Sequence, residues 1–421
     1  MKKEPIITKK GVIVALAFVL PLFLCAQVKK VRSGRTASDS SYQDTTGTGR
    51  RVRQIDITDV VKGIFRHKRP PKPKVDDSLI VKPTFSALPA IGYTLTTKTA
   101  GTISGNMAFR TDSTTKLSTI TASAAYTQNK QFTVPVESNI WTHNSKFNLL
   151  GDFRFYKYPQ YTYGLGSNSD IEDQELLDYY FFRIAEVVQT HIVSNFFAGI
   201  GYMMELQWDI DDKGLPNGKV SDYQKYDSIN RTLASGFIIN GIYDSRDNSI
   251  NPSRGFYSGV QFRSSLIALG SDRNWSSVII DTRKYFKLPE GSRNILALWS
   301  YDWLILHGKP PYLDLPSTTW DVYSNTGRGY IQGRFRGAQM VYLESEYRMV
   351  LTANGLLGAV VFVNAESLSG APGTRLQSIQ PGWGGGLRIK LNKKSQTNLD
   401  LDYGFGAQGS NGIFINIAEA F

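Results

Sequence analysis

The chain has 421 residues, of which 41% are hydrophobic and 20% are charged, and its formal net charge is +12. Residues 27–86 hold 14 lysines and arginines against six aspartates, whereas the chain from residue 87 onwards is close to neutral, so the basicity does not predict nucleic-acid binding. No internal apolar run approaches the roughly 18 residues that a spanning helix needs, which excludes a helical membrane protein beyond the N-terminus.

The first 26 residues have the pattern of a secretory signal peptide. A lysine-rich start is followed by an apolar stretch that contains Pro21 and ends in small residues at Ala26. Cys25, the one cysteine of the chain, lies within this stretch, so disulfides would not stabilise the exported protein. We expect residues 1–26 to be a signal peptide that directs export.

Residues 27–86 are rich in Ser, Thr, Pro and basic side chains, a composition typical of a disordered segment. Within this segment, apolar residues recur at helical spacing from Ile57 to Phe65, and Asp56 or Thr58 is available as the N-cap. We therefore expect a disordered basic periplasmic segment with a short amphipathic helix near 56–65. The sequence leaves open whether this helix docks on a partner, enters a pore or forms only transiently.

From residue 87 to residue 421 the pattern changes to an alternation with period two. In QMVYLESEYRMVL (339–351), apolar residues on one face alternate with Tyr342, Glu344, Glu346 and Arg348 on the other, and RGFYSGVQFRSSL and NLDLDYGFGA behave in the same way. This alternation is typical of transmembrane β-barrels, in which lipid-facing and lumen-facing residues alternate. The segment therefore predicts an all-β, transmembrane antiparallel β-barrel, and its length, at roughly 20 residues per strand with its connection, gives about 16 strands.

Short and long connections alternate through the last third of the chain, as they do in outer-membrane barrels. We expect its strands at 339–351, 356–366, 383–392, 397–406 and 412–421. The chain would then end on a strand at the periplasmic rim. The connection at about 308–338 would lie on the outer side, and its segment TGRGYIQGRFRG is too rich in glycine for a helix and too basic to face lipid.

Several stretches of the chain follow one another in a characteristic order. They are ALPAIGYTLTTKTAG, YDSRDNSINPSRGFY, GRGYIQGRFRG, GAVVFVNAE, GGGLRIKL, LDLDYGFG and the final IFINIAEAF. In order and spacing they resemble the bacterial surface-antigen barrel of the outer-membrane insertase and two-partner-secretion superfamily, the BamA and TamA type. The resemblance covers nearly all of 87–421 and implies a 16-stranded barrel whose sixth outer loop folds back into the lumen.

The same resemblance implies a role for the loop motif Arg328, Gly329 and Tyr330. In the family, the arginine at this position contacts acidic residues of the inner wall, and an arginine fork can bind a carboxylate through two hydrogen bonds. Asn364 stands where the family often has an acid. The candidate partners with inward parity are Glu366, Asp400, Asp402, Glu344 and Glu346. Alternatively, these acids only line a watery lumen and pair with Arg348, Arg388 and Lys390.

The end of the chain places Ile413, Ile415, Ile417 and Phe421 on one face of the expected last strand. This arrangement resembles the C-terminal signal by which outer-membrane barrels are recognised during assembly. An ordinary last strand has the same alternation, and both readings are compatible.

The resemblance predicts a protein of the bacterial outer membrane that acts in, or is accessory to, outer-membrane protein assembly or translocation. The implied partners are outer-membrane lipid, the assembly machinery and protein substrates, with no nucleic acid. The roughly 60 polar residues before the barrel lack a βααββ pattern, so we expect no periplasmic POTRA module in this stretch. The alternative is a passive pore or structural barrel.

Residue patterns for catalysis are missing from the sequence. The histidines His67, His143, His191 and His307 are scattered, and neither H-E-x-x-H nor G-x-S-x-G occurs. We therefore expect no cofactor, no metal and no enzymatic activity. A phospholipase-like enzyme with its site at the barrel rim is the less favoured third reading.

Overall fold

A computed structural model describes most of the chain from residue 83 onwards and a few short upstream segments. The described residues are 43–45, 51–57, 59–60, 83–112, 115–321, 324–393, 396–417 and 419–421. The expected signal peptide lies outside these residues. Within them, no helix combines the length and the apolar character needed to cross a membrane.

The architecture is built almost wholly from strands. In chain order they are β1 (Gln43–Thr45), β2 (Arg51–Arg53), β3 (Thr84–Thr94), β4 (Lys98–Phe109), β5 (Ser118–Thr127), β6 (Phe132–Trp141), β7 (Phe147–Lys157), β8 (Gln160–Thr162), β9 (Glu175–Val193), β10 (Phe196–Asp212), β11 (Arg231–Asp244), β12 (Gly255–Ser265), β13 (Trp275–Lys287), β14 (Ile295–Gly308), β15 (Gln339–Val350), β16 (Leu357–Leu368), β17 (Gln380–Asn392), β18 (Thr397–Gly406) and β19 (Asn411–Ile417). A short helix, α1 (Asp222–Asp227), lies between β10 and β11.

Strands β3 to β19 form one closed antiparallel barrel, in which the last strand neighbours the first. The short β8 pairs with the same strand, β9, as β7 does, so β7 and β8 together occupy one position in the wall. The wall therefore has 16 strand positions. This confirms the predicted all-β antiparallel barrel of about 16 strands.

The alternation in the sequence determines which side chains face the interior. In β15 the side chains of Tyr342, Glu344, Glu346 and Arg348 are buried inside the barrel, whereas Leu343 between them is 54% exposed on the outer surface. A soluble protein would bury the leucine and expose the charges. The barrel does the opposite because its outer surface faces lipid and its closed sheet pairs the backbone groups.

Connection lengths differ between the two ends of the barrel. One end, here called the loop end, carries connections 163–174, 213–230, 309–338 and 369–379. The other, the turn end, carries mainly shorter ones, down to the two residues 194–195 between β9 and β10. The strands expected in the last third of the chain are present with small shifts at their ends, except for the last one.

Three boundaries differ from expectation. The barrel begins at Thr84 and not at residue 87. The last strand ends at Ile417, and the chain does not finish on a strand, because residues 419–421 turn into the lumen. The third difference lies in the segment that its composition predicted to be disordered. Two short antiparallel strands form there, Gln43–Thr45 and Arg51–Arg53, consistent with their β-branched threonine and valine.

The expected helix near 56–65 starts at the turn end of the barrel. Asp56 caps it, because its Oδ1 accepts a hydrogen bond from the Asp59 backbone N at 3.1 Å. The same residue binds the barrel, where the backbone N of Lys393 donates to Asp56 Oδ2 at 3.2 Å and Lys393 Nζ lies 2.6 Å from Asp59 Oδ2. Thr58 and residues 61–65 lie outside the described part of the chain.

Candidate functional site in the barrel lumen

The 30-residue connection between β14 and β15 lies inside the barrel. Its residues Leu315, Thr318 and Phe335 are fully buried, although the segment contains almost no regular secondary structure. We call residues 309–338 the lumenal loop. Because the wall around it is polar on its inner face, the loop can hold charged side chains that would be too costly to place against lipid.

Arg328 binds three carboxylates of the inner wall. Its Nη1 donates to Asp402 Oδ2 at 2.8 Å, and its Nη2 donates to Glu346 Oε1 at 2.9 Å and also to Glu344. The guanidinium carbon lies 3.9 Å from the ring centre of Phe362. Arg328 is 2% exposed. We call Arg328 with Glu344, Glu346 and Asp402 the arginine cluster.

The two residues after Arg328 fix the backbone of the loop against the wall. Gly329 has φ +112°, and a Cβ there would lie 2.5 Å from the carbonyl oxygen of Phe405, so only glycine fits. The hydroxyl of Tyr330 accepts a hydrogen bond from the Ala407 backbone N at 2.8 Å. Asn364 donates from Nδ2 to the Arg328 carbonyl at 2.9 Å and thus holds the loop backbone.

The other two arginines of the motif bind neutral groups. Arg334 donates to the Ser169 carbonyl at 2.8 Å and to Gln408, so it joins the lumenal loop to two other connections of the loop end. Arg336 donates to three carbonyls of residues 312–315 at 3.2 to 3.3 Å. These contacts keep the loop folded upon itself and attached to its neighbours.

Two of the five candidate partners bind elsewhere. Glu366 accepts a hydrogen bond from Thr318 Oγ1 at 3.0 Å, and Asp400 lies 3.2 Å from Arg388 Nε. Arg348 and Arg388 also contact Glu346, at 2.7 and 3.3 Å. The inner-wall acids therefore pair with the loop arginine and with wall arginines at the same time, while Lys390 donates to Gln396.

Residues 419–421 belong to the same buried cluster, which the sequence did not indicate. Glu419 Oε2 accepts from Arg388 Nε at 2.9 Å, and Arg348 Nη2 donates to the Phe421 carbonyl at 2.9 Å. The Phe421 ring stacks on Trp299 with ring centres 5.1 Å apart. Phe421 is 4% exposed and therefore lies inside the barrel and not on the lipid face. Ile417, by contrast, is 61% exposed on the outer surface, and Ile413 and Ile415 lie on the same face of β19.

The lumenal loop also touches the opposite wall. Arg183 Nε donates to Glu205 at 2.8 Å, and Arg263 binds the same carboxylate from β12. Beside them, Gln207 Nε2 donates to Asp314 Oδ1 of the loop at 2.7 Å. Sequence parity predicted the inward position of Arg263, but a single sequence contains no signal that joins these distant strands to Asp314.

Asp314 gives the loop a pH dependence that can be measured. Burial, reinforced by the nearby Glu205, raises the pKa of Asp314 to about 7. Because the folded protein favours the protonated form, this contribution to stability is fully present below the ordinary pKa of aspartate, about 4, and is lost as the pH rises towards 7. We expect the urea midpoint of the wild type to fall more between pH 5 and pH 8 than that of Asp314→Asn. Equal pH dependences in the two proteins would contradict this assignment.

A cavity of about 280 Å³ remains between the loop and the first strands. It is lined by Thr102, Ala125 and Thr133 of the wall and by Trp320 and Gln332 of the lumenal loop, among others. The loop is therefore attached chiefly to the C-terminal strands and leaves space beside the N-terminal ones. Within the described residues, no group of three or more His, Cys, Asp or Glu is arranged to hold a metal ion.

No family model and no curated protein matches the sequence. Solved structures do match the fold. BamA from Haemophilus ducreyi lacking POTRA domains 1–3 superposes with a TM-score of 0.54 at 12% identity, over 80% of this chain and 69% of that chain. CdiB from Acinetobacter baumannii superposes with a TM-score of 0.52 at 11% identity, over 80% of this chain and 60% of that chain. The predicted BamA type of barrel is confirmed at the level of the fold.

Proposed function

We propose, from a barrel fold shared with BamA and CdiB, that this protein is an integral outer-membrane barrel that takes part in the assembly or translocation of outer-membrane proteins, directly or as an accessory. On this proposal the loop end faces the outside, the turn end faces the periplasm, and outer-membrane lipid surrounds the wall. The assembly machinery and unfolded barrel proteins are the partners.

The observation that carries the proposal is the position of the lumenal loop across the seam between β3 and β19. On the first-strand side, the backbone N of Gln332 donates to Thr96 Oγ1 at 3.0 Å. On the last-strand side, Ser410 Oγ donates to the Gly329 carbonyl at 2.7 Å, and Asn416 Nδ2 lies 3.4 Å from Asn325 Oδ1. One loop therefore holds both margins of the seam.

The seam itself has few means of closure. β19 has seven residues against eleven in β3, and β3 contains Pro89, which has no backbone N–H to donate to a neighbouring strand. Withdrawal of the lumenal loop would remove its contacts with both margins of the seam at once. A seam that opens in this way would offer unpaired strand edges to a partner strand.

A reversible disulfide across the seam tests this proposal. The side chain of Leu95 packs directly over Gly412 at the loop end of the seam. Leu95→Cys with Gly412→Cys, in a chain whose Cys25 is replaced, is expected to close the seam when oxidised. Cells that depend on this variant should then show reduced levels of other outer-membrane barrels, and a reductant should restore them.

The matched control is Leu95→Cys alone, which should behave as the wild type in both conditions. If the oxidised double variant supports normal barrel levels, seam opening is not needed and a passive pore or structural barrel becomes the better reading. Crosslinking in the membrane followed by purification should recover the assembly machinery with the wild type.

A further inference from the structure

The lipid-facing wall carries a carboxylate that neither the seam nor the lumenal loop uses. In β9 the side chains of Ala185 and Val187 are buried in the barrel, whereas Glu186 between them is exposed on the outer surface. Val188, the next residue of the same parity, is 45% exposed. Glu186 therefore faces lipid, where ionisable residues are rare and costly.

Glu186 lies near the middle of the membrane. It is seven residues from Val193 at the turn end, which corresponds to about 18 Å along the barrel axis for a strand tilted by about 40°. Towards the loop end, the stacked rings of Tyr180 and Trp208 lie six residues away, at the position of an aromatic girdle. Ile184 and Val188 flank Glu186 along the strand, so snorkelling to either interface is not available to its short side chain.

A serine hydroxyl lies beside Glu186 on the outer surface. Gly151 pairs with Glu186 across the neighbouring strand, and a Cβ on Gly151 would lie 2.5 Å from Ser138 Oγ and 2.8 Å from Glu186 Oε1. Because Gly151 has no side chain, both oxygens lie close over its backbone, which is buried. Among the described residues, the Glu186 carboxylate has no hydrogen bond and no ion pair.

A second carboxylate occupies an equivalent position five strands further round. Asp302 of β14 has the same outward parity as Leu298, which is 39% exposed, and it lies seven residues from Ile295 at the turn end. Ser300 Oγ donates to its Oδ2 at 3.2 Å. Both acids belong to the part of the wall formed by β9 to β14, opposite the seam.

Among the described residues, the outward-facing basic side chains on and beside this wall lie towards its ends. Lys157, on the adjoining strand β7, is at the loop end, 4.4 Å from the Tyr180 ring centre, and Lys284 of β13 is towards the turn end, near the rings of Phe256 and Phe286. The described part of a second copy would thus bring acids and not cations to the depth of Glu186. Charge complementarity therefore favours a different protein with a basic side chain at that depth.

We propose that the wall formed by β9 to β14 is a lateral docking surface for another integral membrane protein, and that Glu186 binds an arginine or lysine which the partner presents at mid-membrane. Ser138, whose hydroxyl lies beside Glu186 over Gly151, offers the basic side chain a second acceptor. Pairing would remove the cost of the lone carboxylate, so the contact is stronger in lipid than the same pair would be in water.

Photo-crosslinking in the native membrane tests the proposal. A photoreactive residue replaces Val188, next to Glu186 on the lipid face. The expected result is an adduct with one integral membrane protein whose crosslinked peptide contains an arginine or lysine. Glu186→Gln should lower the adduct yield several-fold, Glu186→Lys should abolish it, and a reversed charge in the partner should restore it in Glu186→Lys. Glu290→Gln, at an exposed turn position, should leave it unchanged.

Three results would overturn the proposal: an adduct between two copies of this chain, adducts with lipid alone, or an adduct that does not respond to the charge at residue 186. Stability of the isolated barrel gives an independent readout. Because the carboxylate lacks a partner there, Glu186→Leu should raise the urea midpoint of the purified protein in lipid vesicles. A lowered midpoint would assign Glu186 to the structure of the barrel itself.

Discussion

Arg328→Ala is expected to lower the free energy of unfolding of the barrel by about 3 to 5 kcal/mol, the usual cost of breaking a buried ion pair from one side. The substitution leaves Glu344, Glu346 and Asp402 together without the guanidinium that separates them. All three are at most 4% exposed, so water cannot replace the lost hydrogen bonds. The lumenal loop also loses its main attachment to the C-terminal strands.

The measurement is urea unfolding of the barrel in lipid vesicles, followed by tryptophan fluorescence and by heat-modifiable migration on gels. Arg328→Lys should lie between wild type and alanine, because a lysine keeps the charge but cannot span two carboxylates with a planar fork. Arg254→Ala is the matched control, since its side chain is 79% exposed at the turn end. An unchanged midpoint and unchanged protease resistance in Arg328→Ala would show that the arginine cluster does not stabilise the fold.

Phe421→Ala is expected to cost about 3 to 5 kcal/mol, as is typical when a buried phenylalanine is truncated. Its ring fills the space between Trp299 and Tyr285, with centres 5.1 and 6.4 Å away. The effect should therefore exceed that of removing an equal apolar area from the surface of the barrel.

The same unfolding measurement distinguishes this buried role from a role on the lipid face. Ile417→Ala is the control, because Ile417 is 61% exposed on the outer surface and its truncation leaves no cavity. A folded, purified Phe421→Ala barrel as stable as Ile417→Ala would refute the packing described for residues 419–421. Reduced insertion of Phe421→Ala in cells with unchanged stability of the purified protein would instead favour a recognition signal.

Strands were the easiest part of the structure to predict from sequence. β18 occupies residues 397–406, as expected, because Asp400 and Asp402 alternate with Leu399 and Leu401 and only one face of such a segment can meet lipid. A one-residue slip would place both aspartates in the membrane. The same constraint acts on each strand, which is why the pattern predicts the positions of the strands.

The last strand was predicted to continue to residue 421 because apolar residues alternate up to the end of the chain. The alternation places Ile413, Ile415, Ile417 and Phe421 on one face of such a strand. Glu419 would lie on the same face, so a longer strand would have put its carboxylate in lipid. The inward turn after Ile417 instead pairs Glu419 with Arg388 at 2.9 Å. A charge at a lipid-facing position was the available signal that the strand stops earlier.

The contacts of the lumenal loop depend on information that a single sequence does not contain. The alternation along each strand places Glu344, Glu366 and Asp402 on the inner wall. It does not give their positions along the barrel axis or their distances from the loop. The path of the loop decides that Arg328 binds Glu344 and Asp402, whereas Glu366 meets Thr318. The contact of Asn364 was likewise not predictable from the sequence, because it is made with the loop backbone and not with the arginine side chain.

Single-channel conductance in planar lipid bilayers tests most directly whether the lumenal loop occupies the interior of the barrel and is held there by Arg328. We expect the wild type to show little steady conductance, and the folded fraction of Arg328→Ala to show larger and fluctuating currents as the loop leaves the wall. A large, constant conductance in the wild type that Arg328→Ala does not change would contradict the account.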